Sequence, residues 1–163
     1  MVQDLPVKIL DTRKTTPGFR LLEKYAVKTG GGTNHRLNLS DGILIKDNHL
    51  MLARQQRMTL GEAVKKAKKK AAPGLRVEVE TTNLNEVKEA IKAGADIIMF
   101  DNMSPAMMRR AVKLLPPNIK SEASGGINLK TLRKVAETGV NFISVGALTH
   151  SAEALDISLE LVQ

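Results

Sequence analysis

From Val77 onward the chain alternates short apolar runs with amphipathic stretches at a nearly constant interval. Val77–Glu80, Ile97–Phe100, Ile119–Ala123 and Phe142–Val145 read as strands whose starts are 20 to 23 residues apart. Asn83-Leu84-Asn85-Glu86 has a capping-box arrangement and opens a helix through Ile91, which Gly94 closes. Ser104-Pro105 places an N-cap before a proline at the first helical position, and Met108, Ala111, Val112 and Leu115 form the stripe that follows. Leu129, Leu132, Val135 and Ala136 make another helix, ended by Gly139. Upstream, Val7–Leu10 and Ile43–Ile45 read as strands and Leu37–Asp41 as a brief turn. Phe19–Lys28 has helical spacing with Leu22, Tyr25 and Ala26 on one side. Asp47–Gln55 starts a further helix, and Thr59 caps one that stops at Pro73-Gly74. Ala147 to Val162 is predicted as a closing helix. Strands alternating with helices at this spacing imply one α/β domain with a parallel sheet and right-handed crossovers, doubly wound or rolled into a barrel.

Composition narrows the partners. The 163 residues carry 25 Lys and Arg against 17 Asp and Glu, a formal charge of +8 that attracts anions. The few aromatics (Phe19, Tyr25, Phe100, Phe142) cannot build a base-stacking platform, so no nucleic-acid partner is expected. Lys65, Lys66, Lys68, Lys69 and Lys70 lie opposite Leu60, Ala63, Val64 and Ala67, and so read as the solvated face of a helix. No apolar run approaches a membrane span, and no membrane partner is expected. The start of the chain has no signal-peptide pattern and there is no cysteine, so a cytoplasmic setting is expected.

The polar residues mark one end of the strands. Asp11, Arg13 and Lys14 follow the first strand and Lys46 the second; Glu80 ends the third and Asp101 the fourth. Ser124-Gly125-Gly126 follow the fifth, and Gly146 the sixth. In α/β barrels and open α/β sheets alike, the carboxyl-terminal strand ends carry the site. Arg13, Lys14, Arg36 and Lys46 suit carboxylates and phosphates. Glu80 and Asp101, on adjacent strands, suit a sugar hydroxyl, a magnesium shell or a developing cation. Ser124-Gly125-Gly126, with Val145-Gly146-Ala147, looks like a backbone cradle for phosphate. Each signal alone also fits a tight turn or a solvated strand end; together they describe a pocket for a sugar phosphate and an anionic co-substrate.

The histidines have no metal-ligand spacing, so no zinc site is expected. His35, in the run Gly30-Gly31-Gly32-Thr33-Asn34-His35-Arg36, is expected to contact ligand, as is His150; His49 belongs to a helix start. Three consecutive glycines predict a loosely held loop. Alternation puts Glu78 on the same side of its strand as Glu80 and one layer deeper. There it either needs a partner, with Lys120 the candidate, or faces a wet gap in an incomplete barrel.

The runs Asp11–Gly18, Gly30–Arg36, Leu44–His49, Glu122–Ile127 and Val145–Ser151 closely resemble nicotinate-nucleotide pyrophosphorylase (carboxylating), also called quinolinate phosphoribosyltransferase, over essentially the whole chain. The resemblance implies an incomplete, open parallel α/β barrel, TIM-barrel-like, of six to seven strands. It implies a magnesium-dependent reaction of quinolinate with phosphoribosyl pyrophosphate to nicotinate mononucleotide, pyrophosphate and carbon dioxide, on the route to NAD. Carried over by motif, Arg13, His35, Arg36 and Lys46 would hold the quinolinate carboxylates, with Thr12 nearby. Lys14 would serve the phosphoribosyl pyrophosphate, and Glu80 and Asp101 its ribose and magnesium. Ser124, Gly125, Gly126, Val145, Gly146, Ala147 and His150 would take the 5′-phosphate; Lys14, Glu80 and Asp101 would be the catalytic set. Family members are homodimers or higher homo-oligomers. They carry ahead of the barrel an α/β domain that covers the partner's barrel mouth and supplies it with an arginine. This sequence begins almost at the first barrel strand, so weak or absent turnover is expected, with phosphate binding partly kept. Two other readings compete: a non-catalytic anion-binding barrel or scaffold, and a sibling nicotinate phosphoribosyltransferase. The latter has one carboxylate to hold, which the set Arg13, Arg36 and Lys46 argues against.

Overall fold

The computed structural model describes residues 1–161. Six strands, β1 (Lys8–Leu10), β2 (Ile43–Ile45), β3 (Val77–Thr81), β4 (Ile97–Asp101), β5 (Lys120–Ser124) and β6 (Phe142–Ser144), form one parallel sheet in the order β1-β6-β5-β4-β3-β2. Between them run α1 (Arg20–Thr29), α2 (Asp47–Gln55), α3 (Leu60–Lys70), α4 (Leu84–Ala93), α5 (Pro105–Val112) and α6 (Leu132–Ala136), with α7 (Ala147–His150) after β6. The sheet is the open α/β barrel that the family resemblance implies, with six strands. Its first and second strands are the two edges, and they do not pair with each other.

Capping chemistry sets the helix starts. The Thr59 hydroxyl accepts the Glu62 N–H while the Glu62 carboxylate accepts the Thr59 N–H, a complete capping box. Ser104 caps α5 ahead of Pro105. Asn83 caps α4, but Glu86 reaches past it to the Thr82 N–H, so that box is not closed on Asn83. Gly94 ends α4 in the left-handed conformation, φ +79°.

Alternation along the strands sorts their side chains. Val79, Ile98, Phe100, Ala123 and Ile143 are fully buried with Val64, Val87, Ala90 and Ala111 from the helices. The intervening residues Glu80, Met99, Asp101, Glu122, Ser124 and Ser144 line a cavity inside the sheet's curve. The barrel interior is therefore polar where a closed barrel stacks aliphatic layers.

Three elements depart from the sequence reading. On α1 the stripe is reversed: Leu22 and Tyr25 are 64% and 70% exposed, while Lys24, at 2%, and Val27 are buried. Lys24 turns inward because a carboxylate, Asp11, waits there. The closing helix ends at His150, and residues 151 to 161 form no regular element; Val162 lies outside the described residues. Leu155, Ile157, Leu159 and Leu161 recur with a period of two, which no helix face matches, and all four are exposed. Finally, α6 starts only at Leu132, so Ser124-Gly125-Gly126 opens a loop and not a helix.

Candidate functional site

A cavity of about 670 Å³ opens at the carboxyl-terminal ends of the strands. Among its lining are Thr12, Arg13, Lys14, His35, Arg36, Lys46, Glu80, Asp101, Ser124, Gly125, Gly126, Gly146, Ala147 and His150. Residues separated by more than a hundred positions thus meet as the sequence reading expects. Val145 is the exception: its N–H is spent on the Leu10 carbonyl and its side chain packs against the core. Leu44, Asp47, Met99, Asn102, Glu122, Ile127 and Ser144 also line the cavity and carried no separate signal.

Cations gather on one side. Arg13 Nε donates to the Leu37 carbonyl at 3.3 Å, and Arg36 Nη1 to the Gly42 carbonyl at 2.8 Å. Burial, and then the neighbouring Arg13 charge, hold the Arg36 guanidinium below its usual range. Two guanidiniums that repel each other in a half-enclosed pocket favour an anion between them. Lys46 extends from the end of β2, its ammonium 3.3 Å from Glu80. The Lys46 N–H donates to His49 Nδ1 at 2.9 Å, the helix-start role read for that histidine. Asp11 at the end of β1, which the sequence reading placed on this rim, is fully buried and points away into the protein.

Two carboxylates share the lining with these cations. Glu80 is engaged through both oxygens, by the Lys46 ammonium and by the Asp47 N–H at 3.2 Å. Asp101 ends β4 and accepts from the Asn102 carboxamide at 2.9 Å. Glu80 and Asp101 do not form a three-ligand cage among the described residues. Such a donor set suits magnesium held mainly by phosphate oxygens and water, with a carboxylate alongside.

Close approach of backbone requires a glycine at Gly125. A Cβ on Gly125, whose φ is +97°, would lie 2.2 Å from the Asn102 carboxamide oxygen and 2.9 Å from its backbone nitrogen. The Asn102 N–H in turn donates to the Ser124 carbonyl. At Gly146 a Cβ would sit 2.7 Å from His150 Nε2, so that ring lies over the α7 turn. The Thr149 hydroxyl donates to the Lys14 carbonyl at 2.7 Å, tying this rim to the loop after β1.

Beneath the cations lies a buried triad. His35 Nε2 is 3.3 Å from Glu78 and 3.6 Å from Glu122, and the Ser144 hydroxyl donates to Glu122. Burial, and then the Glu78 charge, push the Glu122 carboxyl up to about 8, so Glu122 keeps its proton at neutral pH. Burial lowers the His35 imidazole, but the hydrogen bond to Glu78 and the Glu78 charge outweigh it and leave it raised. Lys120 is exposed and is not the partner of Glu78; His35 is. One oxygen of Glu78 has no hydrogen-bond partner. The three donors could in principle surround a metal ion. His35 Nδ1, however, accepts the Arg36 N–H at 2.8 Å, which places the ring hydrogen on Nε2, toward the carboxylates. The triad is a hydrogen-bonded unit and does not fit a metal.

Comparison with known proteins gives the family and the fold. Residues 1–160 match the family model described as "Quinolinate phosphoribosyl transferase, C-terminal domain". A probable nicotinate-nucleotide pyrophosphorylase (carboxylating) of Bacillus subtilis is 53% identical over 160 residues, covering 98% of this chain and 54% of that protein. The rat enzyme of that name is 43% identical, covering 94% and 51%. The solved structure of nicotinate-nucleotide pyrophosphorylase from Francisella tularensis superposes with a TM-score of 0.83 at 47% identity, covering 91% and 51%. A thiamine phosphate pyrophosphorylase from Pyrococcus furiosus, 19% identical with a TM-score of 0.59 over 87% of this chain, shares the fold alone. The chain spans about half the length of the curated relatives it matches. No described helix is long and apolar enough to cross a membrane. The chain belongs to the quinolinate phosphoribosyltransferase family, over the region of that family's C-terminal domain.

Proposed function

We propose that this cavity binds quinolinate and phosphoribosyl pyrophosphate, and that the chain contributes the catalytic barrel for transfer of the phosphoribosyl group with loss of carbon dioxide. The observation that carries this reading is the convergence of Arg13, Arg36 and Lys46 with Glu80 and Asp101 on the lining of one cavity. Three cations are more than one carboxylate needs, which favours the dicarboxylate over nicotinate.

In this reading Arg13, Arg36 and Lys46 hold the two carboxylates, with His35 beneath them, and turn the pyridine nitrogen toward the ribose. Asp101 and Glu80 face the sugar, where a carboxylate stabilises the positive charge that grows as the bond to pyrophosphate breaks. Lys14 neutralises the departing pyrophosphate. Magnesium, when bound, would supply further charge neutralisation on the diphosphate, beside Asp101 and Glu80. Backbone N–H groups at Ser124–Gly126 and Gly146–Ala147, with His150, take the 5′-phosphate. Once the nitrogen is alkylated, the carboxylate on the adjacent carbon leaves as carbon dioxide; the bonding pair stays on that carbon, stabilised by the neighbouring pyridinium charge, and takes up a proton from water.

Titration calorimetry of Lys46→Ala against quinolinate and nicotinate tests the assignment. Losing one charge-assisted contact of roughly 1.5–3 kcal/mol should weaken quinolinate by roughly 10- to 100-fold and nicotinate clearly less. Equal weakening of both ligands would favour the sibling nicotinate site.

A further inference from the structure

The open barrel leaves β1 and β2 unpaired with each other, and the segment Gly32–Arg36 lies along the free edge of β1. Sequence alone predicts a loosely held loop there, but the structure ties it down. Gly32 packs so closely that a Cβ would lie 2.7 Å from Val27 Cγ1 and 3.1 Å from the Val27 carbonyl. The Thr33 N–H donates to the Ile9 carbonyl at 2.8 Å, and the Asp11 N–H to the Thr33 carbonyl at 3.1 Å, a single rung of parallel ladder. Past Thr33 this backbone ladder stops, two residues before the side chains that face the cavity.

What continues it is a pair of side chains. Asp11 Oδ1 accepts the His35 N–H at 2.7 Å, and the Lys24 ammonium donates to the His35 carbonyl at 3.0 Å. Asp11 and Lys24 are themselves paired at 2.5 Å and are 0% and 2% exposed. The Asn34 carboxamide, in the orientation that satisfies it, bridges the Lys24 carbonyl and Asp11 Oδ2 at 2.9 and 2.8 Å. A carboxylate and an ammonium thus stand where the carbonyl and N–H of a neighbouring strand would be. An ion pair kept this dry contributes little net stability over an apolar pair of the same volume. What apolar side chains could not do is give the His35 backbone a directional acceptor and donor at once. On the ring side, Glu78 and Glu122 take Nε2 while Nδ1 accepts from Arg36, so the His35–Arg36 arm is gripped at both ends.

We propose that Asp11 and Lys24 are positioning residues, a side-chain substitute for the missing strand that fixes the backbone of His35 and thereby aims Arg36 into the cavity. That the arm is aimed at quinolinate rests on the function proposed above; that the pair holds the arm does not. Neither residue touches the cavity, and Lys24 lies on a helix whose Leu21, Leu22 and Tyr25 face outward.

Amide hydrogen exchange tests the clamp without any ligand. In the unaltered chain both the Thr33 and His35 amides should be protected. In the double variant Asp11→Leu with Lys24→Met, His35 should exchange at least about tenfold faster while Thr33, held by backbone, keeps its protection. Quinolinate affinity should fall at least about tenfold, and that of phosphoribosyl pyrophosphate with magnesium should stay within about twofold, because only the arm has moved. A His35 amide that exchanges freely in the unaltered chain, or equally slowly in the folded double variant, would overturn the clamp. Should the double variant not fold, Asp11→Ala with Lys24→Gln, which removes the acceptor of the His35 N–H without leaving a buried charge, decides by the same pair of amides: faster His35 with unchanged Thr33 supports the clamp, and unchanged His35 overturns it. Failure of the unaltered chain to bind quinolinate would count against the ligand and leave the exchange result standing.

Discussion

Helices α1 and α3 are nearly equal in length and both carry lysines, yet they obey opposite rules. On α3, Leu60 and Val64 face the core and five lysines face water, with Lys68 forming a surface pair to Asp96 at 2.7 Å. On α1 a lysine is inside, and Leu21, Leu22 and Tyr25 are outside. Burial of apolar area shapes α3. On α1 the need to hold the chain between two unpaired strand edges overrides that term. Local rules fail at this point because the helix serves a site as well as a core.

The largest effect that separates the two helices is a lysine deletion on each. Lys24→Met strands a fully buried Asp11 and should cost about 3–5 kcal/mol in a urea titration. Lys68→Met breaks only an exposed pair and should cost less than about 1 kcal/mol. Comparable costs would mean that the α1 pair is no more structural than a surface bridge.

A smaller difference concerns the other end of the gripped arm. Glu122 keeps its proton in the folded state up to about pH 8, whereas an unfolded glutamate gives it up near 4.5. Between those values the native state binds more protons, so stability falls as pH rises, by at most about 1.4 kcal/mol per pH unit for one proton. Glu122→Gln keeps the hydrogen bonds but cannot ionise, and should flatten that part of the profile. An unchanged slope would show that Glu122 is not the group responsible.

The smallest effect lies on the outer face of α1. Leu22→Ser and Tyr25→Ser should each change stability by less than about 0.5 kcal/mol in the isolated chain, because neither side chain is buried. A larger loss would restore the ordinary amphipathic reading of α1.

Much of the fold was legible because its signals are local. The βα repeat from Val77 to Ser144, the Thr59 and Ser104 caps and the Gly94 stop each depend on residues a few positions apart. The rim was legible for a related reason: a polar residue directly after an apolar strand lies at the strand's end, from which Lys46, Glu80 and Asp101 reach the cavity, whereas Asp11 at the same place turns inward to Lys24. Other features needed the tertiary arrangement. Lys24 is recognisable only beside Asp11, and the Glu78–His35–Glu122 triad joins a loop to two strands. Lys120 was a reasonable partner for Glu78 by alternation, but it sits at the exposed start of β5. The tail after His150 did carry a local signal, since Leu155, Ile157, Leu159 and Leu161 alternate as no helix face does.

The most direct measurement is an amide NMR titration of the chain, first with quinolinate and then with phosphoribosyl pyrophosphate and magnesium. Quinolinate should shift Arg13, Arg36 and Lys46, and the second ligand Ser124 to Gly126 together with Gly146. Shifts confined to the opposite strand ends around Lys8 and Arg76, or none at millimolar quinolinate, would contradict the placement of the site.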